Sequence, residues 1–314
     1  MLARFLAKRL LQLIPLLLIV TMVVFSLILL IPGDPTYAIL GQEGSEEQRE
    51  QLRKELGLDQ PIHVQYARWL WNTVQGDLGR SLLTREKVAD IVLRNAGATL
   101  QLVLFSVVLT VVAGILLGVA AVIKRGTIWE TIVRMIGNLG VAIPSFVIAI
   151  FLVLIFSVKL RWLPATGFVN VTEDPVGFVK GTLLPAIALG STGVAIISRQ
   201  IRSSLLEVLE QEYIYTALSK GMKMSSVIWR HGLRNALLPA VTTIGVLLSH
   251  MIGGTIILES IFAIPGLGQV LVNSILQRDV TLLQGAVLFL VLLVVMINFL
   301  VDLAYTLIDP RIKL

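Results

Sequence analysis

Residues 212–239 read EYIYTALSKGMKMSSVIWRHGLRNALLP, a polar and basic stretch flanked by charge-free apolar runs at 181–198 and 235–258. Leu205, Leu209, Tyr213 and Ala217, with Val208 and Thr216 beside them, follow the i, i+3 and i, i+4 spacing of one helical face. Gly221 is placed to stop that helix, because glycine adopts the left-handed cap conformation at no steric cost. Ser225 or Ser226 can cap a second helix carrying Val227, Ile228, Trp229 and Leu233, although no Glu or Gln completes a capping box. The expectation is a bent pair of helices outside the membrane with an apolar stripe. Such a stripe in water calls for a partner to cover it.

The rest of the chain supplies the membrane. Of its 314 residues 56% are hydrophobic and 15% charged, with a mean hydropathy of +0.86. This excess of apolar residues fits an all-α polytopic membrane protein. Six charge-free runs, 10–31, 95–123, 135–158, 181–198, 235–258 and 280–301, each have 18 residues or more, and about 20 residues at 1.5 Å rise cross the hydrocarbon core. The first is longer than the apolar region of a cleaved signal peptide, and the following IPGDP lacks a small-x-small cleavage site. The fourth run contains Pro185, Gly190 and Gly193, so its helix is expected to extend to Ser204, with Arg199 and Arg202 near the cytoplasmic surface. A net charge of +6 and a pI near 9.7 do not point to nucleic acid, because the basic residues flank apolar spans and form no single patch.

With both termini cytoplasmic, fourteen Lys and Arg fall inside and four in the short outer loops (Lys159, Arg161, Lys180 and Arg278). That asymmetry predicts six spans with both ends inside. Residues 1–31 are then a basic anchor and first span, 32–94 an extracytoplasmic loop subdomain, and 95–314 a five-helix core with the 205–234 loop inside. The 32–94 block holds an acidic helical piece from Ser45 to Leu56, a Gly57-Leu58-Asp59-Gln60-Pro61 break, and a helix with Tyr66, Trp69 and Trp71. Those aromatics read as interfacial anchors or packing of the loop on the membrane part, or more sharply as substrate contacts. Gly114 and Gly118 form a small-xxx-small pair, for internal packing or for a dimer face. Gly137, Gly140 and Pro144 predict a kink in the third span that lines a cavity.

The chemistry is mostly absence. There is no cysteine, hence no disulfide or thiolate metal site. No lysine follows a glycine, so there is no P-loop, and ATP-driven transport requires a separate ATPase polypeptide. His63, His231 and His250 are expected in an outer loop, an inner loop and a span, and cannot form one metal site. No cofactor site and no catalytic constellation is read. His250, inside a span, is either functional or a neutral, hydrogen-bonded packing residue. Asp302, two turns from the C-terminal end, is expected to snorkel or to pair with Arg311. Pro144, His250 and Gly254 are the candidates for a translocation path.

The spacing Thr216-Ala217-x-x-x-Gly221, then Arg230-His231-x-Leu233-Arg234-Asn235-Ala236-x-x-Pro239, resembles the cytoplasmic EAA loop of binding-protein-dependent ABC transporter permeases. The glutamate of that motif is Tyr215 here, and its closing Ile-x-Leu-Pro is His231-Gly232-Leu233-Arg234, as is usual in the peptide, nickel and glutathione branch. Pro32-Gly33-Asp34-Pro35, Leu56-Gly57-Leu58-Asp59-Gln60-Pro61, Gln65-Tyr66 and Gly76-Asp77-Leu78-Gly79-x-Ser81 are similar to the first permease of peptide-type systems. Glu259-Ser260-Ile261-Phe262 and Pro265-Gly266-Leu267-Gly268, read as an outer connection, are similar too. The resemblance implies a type I ABC importer-like permease fold in a prokaryotic inner membrane. It also implies partners: two ATP-binding subunits inside, a second related permease (a homodimer being the alternative), and an extracytoplasmic solute-binding protein. The expected ATPase-docking residues are Tyr213, Tyr215, Thr216, Ala217, Gly221, Met222, Val227, Arg230, His231, Leu233, Arg234 and Asn235. The cargo it implies is a di- or oligopeptide, with glutathione or a nickel chelate as alternatives. The competing class is a self-sufficient secondary transporter or channel, but such a carrier keeps ionisable groups at mid-membrane and has no use for a docking loop.

Overall fold

Without water to satisfy the backbone, an apolar chain is confined to helices whose hydrogen bonds are internal. The computed structural model describes residues 2–30 and 45–308, so Pro32-Gly33-Asp34-Pro35 and Arg311 lie outside it. Apart from one isolated β-bridge between Arg80 and Lys87, the described elements are helical. They are α1 (Leu2–Leu30), α2 (Glu46–Leu56), α3 (Ile62–Val74), α4 (Val88–Ile123), α5 (Ile128–Ala142) and α6 (Ser145–Leu152, continued by a π-helical segment Val153–Lys159). There follow α7 (Pro175–Leu209), α8 (Glu212–Ser219), α9 (Met224–Val227, continued by a π-helical segment Ile228–Gly232), α10 (Leu233–Phe262), α11 (Leu267–Leu276) and α12 (Val280–Ile308).

Among the described residues four helices are long and apolar enough to cross a membrane: α4, α7, Thr243–Phe262 of α10 and Val280–Leu303 of α12. The expected third span is not one helix. It breaks at Pro144 into α5 and α6, which are bent by 111° and make a fifth span if the pair is taken as one. Ile143, ahead of the proline, is extended at φ −99° and ψ 125°, as the clash with the proline ring requires. The described apolar part of α1, Leu11–Ser26, is shorter than the others. Helix α7 continues past the expected Ser204 to Leu209.

The chain divides into two compact units. The first holds α1, α2, α3, α11, the start of α4 and α12 as far as Met296. In it the loop aromatics are packing residues: Phe25 of α1 meets the rings of Tyr66 and Trp69 at 5.5 and 5.8 Å, and the hydroxyls of Thr21 and Tyr66 are 2.9 Å apart. Trp71, by contrast, is exposed. Asp279, buried, accepts hydrogen bonds from the Ser81 hydroxyl at 2.5 Å and from the amides of Leu82 and Leu282 at 3.2 and 3.1 Å. The Gly76–Ser81 stretch is thereby tied to the start of α12.

The second unit runs from Ala98 to Ile264 and takes in the end of α12. Helix α7 is its centre. A Cβ on Gly114 or Gly118 of α4 would stand 2.7 or 2.8 Å from Ile197 or Ile201 of α7, so the glycine pair serves internal packing. Gly140 of α5 likewise abuts the Ser191 carbonyl, and its own carbonyl accepts the Thr192 hydroxyl at 2.9 Å. Glu259, expected in an outer connection, instead lies within α10, buried, and accepts the Thr99 hydroxyl at 2.7 Å.

Candidate functional site

The polar stretch forms between α7 and α10, but not as one amphipathic helix followed by another. Helix α7 ends at Leu209, Gln211 is extended, and a separate eight-residue α8 begins at Glu212. The Leu205 to Ala217 stripe therefore spans two helices. Its leucine end is covered, while Tyr213 is exposed. Leu205 is fully buried in a core with Val119 and Val122 of α4, Ile197 and Ile201 of α7, Ile228, and Ala236 and Ala240 of α10, while Leu209 and Leu233 pack against it.

The stop at Gly221 is as expected, with φ +80°. Two hydrogen bonds close the helix end: Gly221 N–H donates to the Leu218 carbonyl at 2.9 Å and Met222 N–H to the Ala217 carbonyl at 3.3 Å. This is the Schellman pattern, which satisfies carbonyls that a helix end would leave orphaned. The second helix departs from expectation. Neither Ser225 nor Ser226 caps it; the extended Lys223 precedes α9 with no side-chain cap. From Met224 the chain then stays helical through the π-helical segment into α10 without a break.

The surface sorts the expected residues. Val227 and Ile228 are buried, as is Ile214, which anchors α8. Val227 is therefore a packing residue and not part of an exposed docking face. Tyr213, Tyr215, Thr216, Gly221, Arg230, Arg234 and Asn235 are exposed; Ala217, Met222, His231 and Leu233 are half-buried. Asn235 donates to the Tyr213 hydroxyl at 2.7 Å, tying α8 to the start of α10, and Thr216 donates back to the Glu212 carbonyl at 3.2 Å. Met224 and Trp229 are also exposed, so an apolar and aromatic face of Tyr213, Tyr215, Met224 and Trp229 stands between the basic residues. Sequence reasoning had assigned Trp229 to the apolar stripe and passed over Met224; only the helix phase places them at the surface.

The three path candidates are less coherent. Pro144 caps α6 at the bend, and Gly254 lets α10 approach α7, a Cβ there standing 3.0 Å from Leu189. His250 is exposed. Its neighbour Ser249 donates to Asn298 of α12 at 2.6 Å, a polar contact between two span helices. Among the described residues no cluster of three or more His, Cys, Asp or Glu could hold a metal ion.

Residues 110–314 match the family described as the binding-protein-dependent transport system inner membrane component, and residues 1–103 its N-terminal membrane component. The chain belongs to this family of inner-membrane permeases. A putative peptide transport system permease of Brucella melitensis biotype 1 is 43% identical over 313 residues, covering 100% of this chain and 99% of the relative. The glutathione transport system permease GsiC of Shigella flexneri serotype 5b and the dipeptide transport system permease DppB of Alkalihalophilus pseudofirmus are each 37% identical over 98% of this chain, covering 97% and 98% of the respective relatives. The fold is similar to a chain of the inward-facing MetNI methionine ABC transporter, with a TM-score of 0.57 and 20% identity over 70% of this chain and 96% of that one. As a permease of a binding-protein-dependent ABC importer the chain is a multi-pass membrane subunit, and hydrolysis of ATP falls to partner subunits.

Proposed function

We propose that this permease is one half of the translocation channel of a type I importer for di- or oligopeptides, paired with a second, related permease. The observation that carries the cargo class is end-to-end identity with peptide and dipeptide permeases. The glutathione relative favours a second reading, glutathione itself a short peptide with free carboxylates, as the preferred cargo. Six spans with both termini cytoplasmic follow from the charge asymmetry, with 32–94 outside and facing the solute-binding protein.

In this reading two ATPase subunits dock on the 212–235 segment. The exposed face of Tyr213, Tyr215, Met224 and Trp229 enters a groove on the ATPase, and Arg230 and Arg234 flank it. Burial of Leu205 and Ile228 in the core of α4, α7 and α10, with Val227 buried next to Ile228 in sequence, makes the segment continuous with two long helices. Movement of the docked ATPases is thereby passed to those helices. ATP need not touch this chain; the ATPase dimer's differential affinity for the two transporter states supplies the bias.

Cysteines introduced singly at Ser45 and Ser225 of this cysteine-free chain test the orientation with an impermeant thiol reagent. Labelling of Ser45→Cys alone in intact cells is expected, and labelling of Ser225→Cys alone overturns it. Competition for uptake of a labelled dipeptide by tripeptides, glutathione and chelated nickel tests the cargo. Competition by nickel chelate alone refutes the peptide reading.

A further inference from the structure

Two concavities of the second unit lie end to end between α5 and α7. One, of about 470 Å³, is lined by Arg134 of α5 and by Ser198, Arg199 and Arg202 of α7, with Ala121 from the end of α4. The other, of about 440 Å³, is almost wholly apolar, with Ile136 and Leu139 of α5 and Ile187 and Val194 of α7 in its wall. They share Ala195. Along α7 the apolar groove extends from Ala195 to Leu183, a rise of about 18 Å, close to the ~15 Å depth of one leaflet's hydrocarbon.

At the arginine end one buried donor lacks an acceptor. Arg202 pairs with Glu130 at 2.5 Å, yet its Nε is buried with no hydrogen-bond partner. Glu130 pairs with Arg202 and lies near Arg134, Arg199 lines the same pocket, and Lys124 and Arg125 stand on the adjoining turn. At the other end Ile136, Leu139 and Ile187 leave wide apolar surface open. A cationic pocket with one buried N–H lacking an acceptor, prolonged by a dry groove one leaflet deep, matches one kind of molecule: a headgroup bearing phosphate, with an acyl chain attached.

We propose that this amphipathic groove is a site for a single anionic phospholipid of the cytoplasmic leaflet, its phosphate held by Arg134, Arg199 and Arg202 and one acyl chain laid between α5 and α7. Basic pockets between transmembrane helices at the cytoplasmic side recognise such headgroups. The leaflet rests on the orientation proposed above; the site itself does not. Because α7 leads directly to α8, an occupied groove fixes the α5–α7 spacing at the root of the docking segment.

The test uses the full chain purified with its ATPase and second permease, titrated with dioleoyl phosphatidylglycerol or dioleoyl phosphatidylcholine and read by native mass spectrometry. Phosphatidylglycerol is expected to bind the tighter. Arg134→Gln with Arg199→Gln removes the preference, a loss of about twenty-five-fold at roughly five-fold per arginine. Ile187→Trp, which fills the groove, weakens both lipids and leaves their ratio unchanged. Equal binding of the two lipids by the wild type, or an unchanged preference in the double variant, overturns the proposal. So does displacement of the lipid by inorganic phosphate with no effect of Ile187→Trp, which assigns the pocket to a soluble anion. An efficient disulfide between Ile187→Cys and the second permease also overturns it, by making the groove a protein interface. Lipid mass is read without transport, so failure of the importer reading leaves these ratios intact.

Discussion

Replacing Gly221 by valine isolates one physical term. The residue sits at φ +80°, and a Cβ built on it meets nothing within 4 Å, so a side chain here has open space at its β-carbon. What remains is the cost of a left-handed backbone for a side-chain-bearing residue, about 1–2 kcal/mol. That shifts the balance between the native bend and alternatives by roughly five- to thirty-fold. Helix α8 has only eight residues and no side-chain cap at its N-terminus, so loss of its Schellman closure leaves the burial of Ile214 and the bond from Asn235 to Tyr213 to fix the bend. Alanine should show a smaller form of the same defect, and asparagine, which tolerates this conformation, the smallest. The assay is recovery of the ATPase subunit with a tagged permease from membranes, with labelled-peptide uptake beside it. Membrane abundance should stay near wild type in all three variants. ATPase recovery should fall in the order Asn, Ala, Val. Full ATPase recovery and uptake by Gly221→Val would refute the reasoning, and so would asparagine as damaging as valine, which would mean that the glycine serves a contact and not a conformation.

Asp279→Ala strips three donors (the Ser81 hydroxyl and the Leu82 and Leu282 amides) of a buried acceptor and is expected to destabilise the chain by about 2–4 kcal/mol. A thermal-shift measurement in detergent checks it, with ATPase recovery from surviving protein unchanged. Tyr213→Phe loses only the exposed bond from Asn235, about 0.5–1.5 kcal/mol, and should lower ATPase recovery modestly, whereas Tyr215→Phe, with its hydroxyl outside that bond, should leave it near wild type. Gly232→Ala puts a methyl 2.7 Å from Leu205 Cδ1; an overpacking cost of about 1–3 kcal/mol should appear as lower thermal stability and be relieved by Leu205→Val in the same chain.

Much of this was legible because a bilayer makes the code coarse. Charge-free length marks spans, and Pro144 marked the break in the third run, because a proline acts on the backbone of its neighbour whatever the surroundings. Gly221 was legible for the same reason. The break at Glu210 and Gln211 was not. Leu205, Leu209, Tyr213 and Ala217 keep a spacing of four across it, no glycine or proline interrupts them, and a helical period cannot report that the helix itself has stopped. The cap on α9 was misread because a serine's local preference is worth about 1 kcal/mol, less than burial of Val227 and Ile228 contributes. Glu259 escaped for a related reason. A charge near the end of an apolar run reads as the water boundary, unless the fold supplies a buried donor such as Thr99, and that donor lies 160 residues away.

How force would pass through the segment follows from where it is stiff. Between α7 and α8 stands the extended Gln211, and between α8 and α9 the left-handed Gly221. Both lie in short non-helical joints, 210–211 and 220–223, about which a short helix can turn. From Met224 onward there is no joint: α9, the π-helical segment and α10 form one helical run, with Ile228, Ala236 and Ala240 buried against α4 and α7. A docked ATPase acting on α8 alone would therefore spend its displacement in rotation about two hinges. Acting on Met224, Trp229 and Arg230, it moves the root of α10 directly. The bond from Asn235 to Tyr213 closes the difference by pinning α8 to that root, so the aromatic face of α8 and the start of α10 are presented to the partner as one body. With the ATPases docked as proposed, coupling by this segment would depend on α10 as the lever arm, with α8 as the pad that aligns it.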